Sequence, residues 1–444
     1  MNGGVSSPPV TILPRSSAAL SLAAALAAGR VRRDVAATSR SLKHRNFRLF
    51  WTGQLVSLVG TWMADVALAW LVLDLTGSPV RLGLAMTMRF GPTLVLSLFG
   101  GLLADRLPKR RLLATTQSVL MVQAFAMAAL TTAGAISMSL VYALALVRGI
   151  AEAVDIPTRQ AFVVEMVGPA DVQNAVALNS SQFNLARILG PAVGGVLVST
   201  VGVAVCFWLN AVSFVPVLAA FALLRTADLH LGPRAARAGV VRQLGDGFRY
   251  AARTPDVALI LGMVAFIGTF GYNFTVMLPL LARYAYGSGP EGLGALTAAM
   301  GAGSLCAAVF VASRGRPTRR TVLVGAGGFS VVLFLLALAP GQTMALALLV
   351  ALGFFGILFH TGANSRLQLI VPGELRGRVM SMYALLFIGT TPLGSLLVGT
   401  LAEHQGIRTA VGEVAVVCLV GAGLSLLVAL RMRRGVANPL PNLG

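Results

Sequence analysis

Residues 80–111 read VRLGLAMTMRFGPTLVLSLFGGLLADRLPKRR, an apolar run over 80–104 that ends in a short turn dense with positive charge. A run of that length lets an α-helix cross the roughly 30 Å hydrocarbon core of a bilayer. Helix is required there because lipid offers no partner for an open backbone N–H or C=O. The turn holds Arg106, Lys109, Arg110 and Arg111 against the single acid Asp105, the charge balance of a loop retained on the cytoplasmic side.

The same plan repeats along the chain. Spans are expected at 50–73, 80–104, 112–133, 138–160, 174–198, 203–224, 258–282, 292–312, 320–338, 343–365, 378–401 and 410–430, which makes an all-α polytopic membrane protein of twelve transmembrane helices. A chain of 444 residues that is 56% hydrophobic and 11% charged is not an ordinary soluble domain. The net charge of +20 could suggest a nucleic-acid partner, but the positions of the charges exclude it. Arg and Lys crowd before span 1, after spans 2, 6 and 8, around the loop after span 10, and at the end, while the third and fifth loops carry none. This alternation places both termini and the middle linker in the cytoplasm of a cell whose plasma membrane holds the protein.

The three cysteines, Cys206, Cys306 and Cys418, all fall inside spans and imply neither a disulfide framework nor a metal site. No Gly-x-x-x-x-Gly-Lys loop is present, and no acid, His or Cys cluster has the spacing of a catalytic or metal centre. No enzyme activity, cofactor or ATP drive is therefore expected from this chain.

The expected organisation is a disordered basic tail over 1–46, a first half over 47–224, a cytoplasmic linker over 225–256, a second half over 257–431 and a tail over 432–444. Within the linker, Val240 to Ala252 has the spacing of a surface helix on the inner leaflet. The halves show weak internal similarity. Asp105 to Arg111 corresponds to Ser313 to Arg320, and Pro169-Ala170-Asp171 before Gly190-Pro191 corresponds to Pro372-Gly373-Glu374 before Thr391-Pro392. Repeated halves suit alternating access, in which one half rocks against the other around a midplane site.

Gly101-Leu102-Leu103-Ala104-Asp105-Arg106-Leu107-Pro108-Lys109-Arg110-Arg111 resembles the loop signature of the major facilitator superfamily, with Pro108 where the family usually has Gly. Gly190-Pro191-Ala192-Val193-Gly194-Gly195 resembles the antiporter motif of the efflux branch. Leu58 to Met63, Trp70 to Pro79 and Arg376 to Ser381 look like the branch of enterobactin exporters and macrolide efflux proteins. The resemblance implies a monomeric secondary transporter whose helices 1, 4, 7 and 10 line a central cavity. It further implies a cytoplasmic gate of Gly101, Asp105, Arg106 and Arg110 with Arg376 and Arg378, and a hinge or packing seam at Gly190, Pro191, Gly194 and Gly195. Gly101 is expected to allow close helix approach.

Ionisable residues inside spans are costly and mark function. Gln54, Ser57, Thr61 and Asp65 share one face of helix 1, and Arg148, Glu152, Asp155 and Arg159 share one face of helix 4. Asp65, Arg89, Arg148, Glu152 and Arg187 form a layer of two acids and three bases. Asp65 and Glu152 are expected to carry the proton, with Arg148 tuning Glu152. Cavity residues are expected at Gln54, Thr61, Arg89, Arg187, Tyr272, Asn273, His360 and Asn364. The reading is proton-coupled export of a small amphipathic, siderophore- or drug-like molecule. The excess of buried arginine favours an acidic one. Alternatives are uptake or lysolipid flipping by the same fold, and a non-transporting receptor or assembly partner.

Overall fold

The computed structural model describes residues 40–230, 248–314 and 317–437. Six long helices precede residues 231–247 and six follow. They are α1 (Arg45–Thr76), α2 (Pro79–Arg106), α3 (Lys109–Thr132), α4 (Met138–Val167), α5 (Val172–Val201), α6 (Val203–Leu223), α7 (Pro255–Ala285), α8 (Pro290–Arg314), α9 (Arg319–Ala337), α10 (Gln342–Ile370), α11 (Leu375–Gln405) and α12 (Ile407–Ala437). Local sequence sets their ends. Ser78 accepts the Arg81 N–H ahead of Pro79 to start α2, Ser137 does the same for α4, and Thr318 and Thr321 close a capping box on α9. Gly77, at φ +62°, ends α1.

Among the described residues, ten helices are long and apolar enough to cross a membrane, and α2 is the eleventh when its two arms, bent by 58° between Pro79–Leu96 and Phe99–Arg106, are taken together. The twelfth, α4, has 30 residues and is set apart from the others by the charges of Arg148, Glu152, Asp155 and Arg159 along its length. Nearly all helices outrun the expected spans, as α1 does, because caps and the interfacial turns lie beyond the hydrocarbon limits that hydropathy detects.

Helices α2 and α4 meet at glycine. A methyl group built on Gly149 would overlap the carbonyl of Arg89, and one on Gly100 would overlap that of Ala153. The second set of six repeats the device, since Gly353 of α10 lies on the carbonyl of Met300 in α8. Gly149 and Gly353 are each the twelfth residue of their helix, and Arg89 and Met300 each the eleventh of theirs. The expected hinge glycines also pack: Gly190 and Gly194 lie on Trp62 and Met63 of α1, and Gly195 on Pro290 and Gly294 of α8. The α5 helix runs unbroken through Pro191.

Among the described residues, the largest apolar cluster runs across the two sets at one end. There Leu71, Leu82 and Met86 join one cluster with Leu278, Leu281 and Leu293. A second cluster, around Phe47, Phe50, Phe162 and Phe221, belongs to the first six helices alone. Polar contacts also join the Asp74 end. Arg283 pairs with Asp74 at 2.5 Å, Tyr284 donates to the Gly77 carbonyl at 2.5 Å, and Glu403 accepts from the Ser78 hydroxyl at 2.5 Å and the Val80 N–H at 2.9 Å.

The last seven residues of the tail expected to be disordered are ordered. Arg40–Lys43 form a 3₁₀ turn, and Arg40 and Lys43 reach Asp171 at 2.9 and 2.8 Å. The tail's earlier residues and most of the expected linker helix lie outside the described residues, while 248–253 are helical. At the other end, α12 continues to Ala437, beyond the expected limit at 431.

Candidate functional site

The close approach of α2 to α4 at Gly149 brings the Arg89 side chain to the charged face of α4. Arg148 and Glu152, one turn apart, pair at 2.8 Å. Asp65 of α1 completes the group, with Oδ1 at 2.7 Å from Arg89 and 2.8 Å from Arg148, while Arg89 lies 3.7 Å from Glu152. Four side chains from three helices thus form a neutral quartet of two acids and two bases. Several contacts are short without being well directed, so Asp65 Oδ1, Arg89 Nε and Nη1, and Arg148 Nη2 are buried without an aligned hydrogen bond. Such under-satisfied groups are rare in a well-packed core, and each calls for a physical reason. Glu152 has 17% of its side chain exposed and Asp65 9%, which makes Glu152 the more accessible acid.

The other expected residues divide into separate places. Asp155, one turn further along α4, turns away to α3, where Thr116 and Gln117 donate to it at 2.8 and 2.9 Å, and pairs with Arg159 of its own helix at 3.2 Å. Arg187, expected in the charged layer, stands apart from the quartet and donates to Ser304 of α8 at 2.9 Å. Gln54 is buried with Oε1 lacking a hydrogen-bond partner, and Thr61 is half-buried. Asn273 is fully enclosed. Its amide donates to the carbonyls of Thr269 and Phe270 at 2.7 and 3.1 Å and accepts from Ser395 at 3.2 Å, so it holds a break in α7 and does not face a cavity. Asn364 accepts from Gln368 at 2.6 Å. Tyr272 stacks on Phe329 and meets Phe387 edge-on at ring separations of 5.1 and 4.8 Å. His360 lies 4.2 Å from the Phe387 ring and pairs through Nδ1 with the Tyr383 hydroxyl at 2.6 Å.

Two expected gate residues are placed differently. Gly101 faces open space, and the packing glycine is its neighbour Gly100, because one residue turns the helix by about 100°. Arg110 does not reach the second set of helices. It donates to the carbonyls of Phe221 and Ala222 at 2.7 and 3.2 Å, closing the C-terminus of α6, whose last carbonyls have no partner within the helix. Asp105, Arg106 and Arg376 are exposed, Arg378 is half-buried, and Asp105 makes no ion pair among the described residues.

Sequence reasoning missed the π-helical turns Ile267–Gly271 and Leu281–Ala285 in α7 and Leu385–Gly389 in α11. The first and last touch, since Gly268 lies against Leu386 and Phe387. π-turns concentrate at functional places. The Gly-Thr-Phe-Gly run at 268–271 ahead of Asn273 was the available signal. Also missed were Asp74, Arg283 and Glu403, which look like loop charges until the fold brings them together.

The family of transmembrane secretion effectors, within the major facilitator superfamily, matches residues 36–439. The chain belongs to this family. Among its relatives are the multidrug efflux pump Tap of Mycolicibacterium fortuitum, 28% identical over 79% of this chain and 87% of that protein, and the staphyloferrin A transporter of Staphylococcus aureus, 25% identical over 81% and 90%. The enterobactin exporter EntS of Shigella boydii is 24% identical over 89% and 94%. The fold matches a bacterial homologue of the lysosomal transporter Spinster in its inward-facing, unoccupied conformation, with TM-score 0.66 and 14% identity over 86% of this chain and 96% of that one. It also matches a POT family transporter, with TM-score 0.71 and 10% identity over 87% and 96%. This secretion effector is an integral membrane transporter of small molecules and not an enzyme.

Proposed function

We propose that this chain exports a small amphipathic molecule, siderophore- or drug-like, in exchange for protons by alternating access in the plasma membrane, with both termini in the cytoplasm. The carrying observation is the quartet Asp65, Arg89, Arg148 and Glu152, which ties α1, α2 and α4 through shared charge. Adding a proton to Glu152 leaves two guanidinium groups on one carboxylate. Arg148 then has only Asp65 as a partner, and the balance of attraction among the three helices changes. A gradient that loads and unloads that site can therefore bias how the first six helices sit. The polar contacts at the Asp74 end and the exposed Asp105 fit the inward-open member of the cycle. In the outward-open member Asp105 would meet Arg376 or Arg378, and Asp74 and Glu403 would release their partners. The alternating basic loops support the assigned sidedness, and the names of the relatives support the substrate class.

The test is ΔpH-driven transport of a macrolide and of a catecholate siderophore in everted vesicles, for the wild type, Asp65→Asn and Glu152→Gln. The expected outcome is loss of gradient-driven transport with substrate counterflow retained in Glu152→Gln. Full gradient-driven transport in both variants would remove the proton role.

A further inference from the structure

The buried charges of the first six helices nearly balance. Asp65 and Glu152 face Arg89 and Arg148, and Asp155 faces Arg159. Arg187 is left over. Among the described residues its hydrogen-bond partner is Ser304, whose hydroxyl donates to the Met300 carbonyl at 2.9 Å and accepts from Arg187 Nη2 at 2.9 Å. Ser304 therefore supplies a dipole and no charge, and no carboxylate lies within 4.0 Å of Arg187 among the described residues. Arg187 is half-buried without a counter-charge, which is costly, and a bound anion would offset that cost.

Position adds to the argument. Arg187 belongs to α5 and Ser304 to α8, so the guanidinium sits where the two sets of helices meet. The Ser304 hydroxyl also lies 3.4 Å from the Gly353 carbonyl of α10, and one turn along that helix Gly356 abuts the Tyr272 hydroxyl, with His360 a further turn on. Tyr272 and His360 flank Phe387, at ring separations of 4.8 and 4.2 Å, and make an aromatic surface within two turns of the Ser304 contact along α10. Planar guanidinium groups bind carboxylates in a two-pronged fashion, and stacked rings favour flat apolar bodies.

We infer that Arg187 is the anchor for an acidic group on the transported molecule, whose flat apolar part lies against Tyr272, Phe387 and His360. The substrate class is an aromatic carboxylate or similarly acidic aromatic compound. This deepens the transport reading above, and its test needs no gradient.

Equilibrium binding of 2-naphthoate and its uncharged counterpart 2-naphthamide is measured on purified protein in phosphatidylcholine nanodiscs, which carry no anionic lipid to compete. The wild type is expected to prefer naphthoate by roughly ten- to hundredfold, the range of a hydrogen bond to a charged group. In Arg187→Gln the preference disappears while naphthamide affinity is unchanged. Arg187→Lys, which keeps the charge but loses the fork, retains a reduced preference. Phe387→Ala weakens both probes alike. An equal affinity for the two probes in the wild type, or an unchanged ratio in Arg187→Gln, overturns the assignment. If Arg187→Gln does not fold, the wild-type ratio and the Arg187→Lys ratio decide. Loss of the proton role in vesicles would leave this result untouched, and the reverse also holds.

Discussion

Helices α4 and α10 occupy corresponding places and are built alike at the backbone, each pressing its twelfth residue, a glycine, onto a carbonyl of the helix beside it. Their side chains diverge completely. Where α4 has Arg148 and Glu152, α10 has Leu352 and Gly356, and where α2 has Arg89, α8 has Met300. The space beside Gly356 is taken by the Tyr272 hydroxyl. One scaffold thus holds charge in the first six helices and aromatic surface with π-turns in the second six. The difference teaches that close helix packing came with the fold, whereas chemistry was assigned to each half by side-chain choice.

The comparison breaks most visibly at the quartet. Asp65→Asn leaves Arg89 and Arg148 sharing Glu152, and removing one partner of a buried pair costs about 3–5 kcal/mol. Thermal unfolding in detergent should fall accordingly and gradient-driven transport should drop by about two orders of magnitude or more, whereas Leu352→Asn at the matching layer should leave proton coupling intact. A sharper form uses the glycines. Gly149→Val and Gly353→Val should each destabilise by roughly 1–3 kcal/mol through overpacking. Only Gly149→Val displaces Arg89, so only it should reduce proton coupling beyond what its loss of folded protein explains. Equal effects on coupling would mean that the halves are less distinct than their side chains suggest.

A smaller effect is expected at the Asp74 end. Asp74 and Arg283 are 51% and 30% exposed, so their pair contributes at most about 1 kcal/mol. Asp74→Asn combined with Glu403→Gln should raise labelling of a cysteine placed at the half-buried Thr76 several-fold, with stability almost unchanged relative to the Thr76→Cys parent. The smallest effect concerns Asp171, which hydrogen bonds from Lys43 and His44, with the nearby charge of Arg40, hold at about 2, below the ordinary 3.8. A depressed carboxyl stabilises the folded state above its unfolded value and loses that contribution as pH falls through the folded value. The melting difference between the wild type and Asp171→Asn should therefore be constant from pH 7 to about pH 4 and shrink below it. A difference that instead grows in acid would show that the clasp does not depend on the ionised carboxylate.

Span number and the pairing of Arg148 with Glu152 were legible because hydropathy and helical spacing are local signals. The junction of Asp65 with Arg89 was partly legible from estimated depth, but its closeness came from Gly149, whose role depends on which helix lies beside it. Asp155 shows the limit of a stripe read on one helix: spacing grouped it with Glu152, and the position of α3 separated them. Arg110 was read as a gate residue from its place in the loop signature, and Asn273 as a cavity residue because it is polar within a span. Both instead satisfy backbone groups, at the end of α6 and at the break in α7, and neither demand exists until the helices end or bend there. The Gly101 expectation missed by a single residue, since motif reading fixes a helix position but not its rotation.

The clasp at Asp171 also constrains the order in which the protein can be made. Ser41 and His44 bind groups of Asp171, 130 and 127 residues later in the chain. At ribosomal speeds that delay is on the order of ten seconds. During that interval the basic stretch before α1 waits at the membrane surface without its counter-charge, free to help set which way α1 inserts. Only when the start of α5 emerges does the carboxylate arrive, and the segment passes from topological signal to structural fastening.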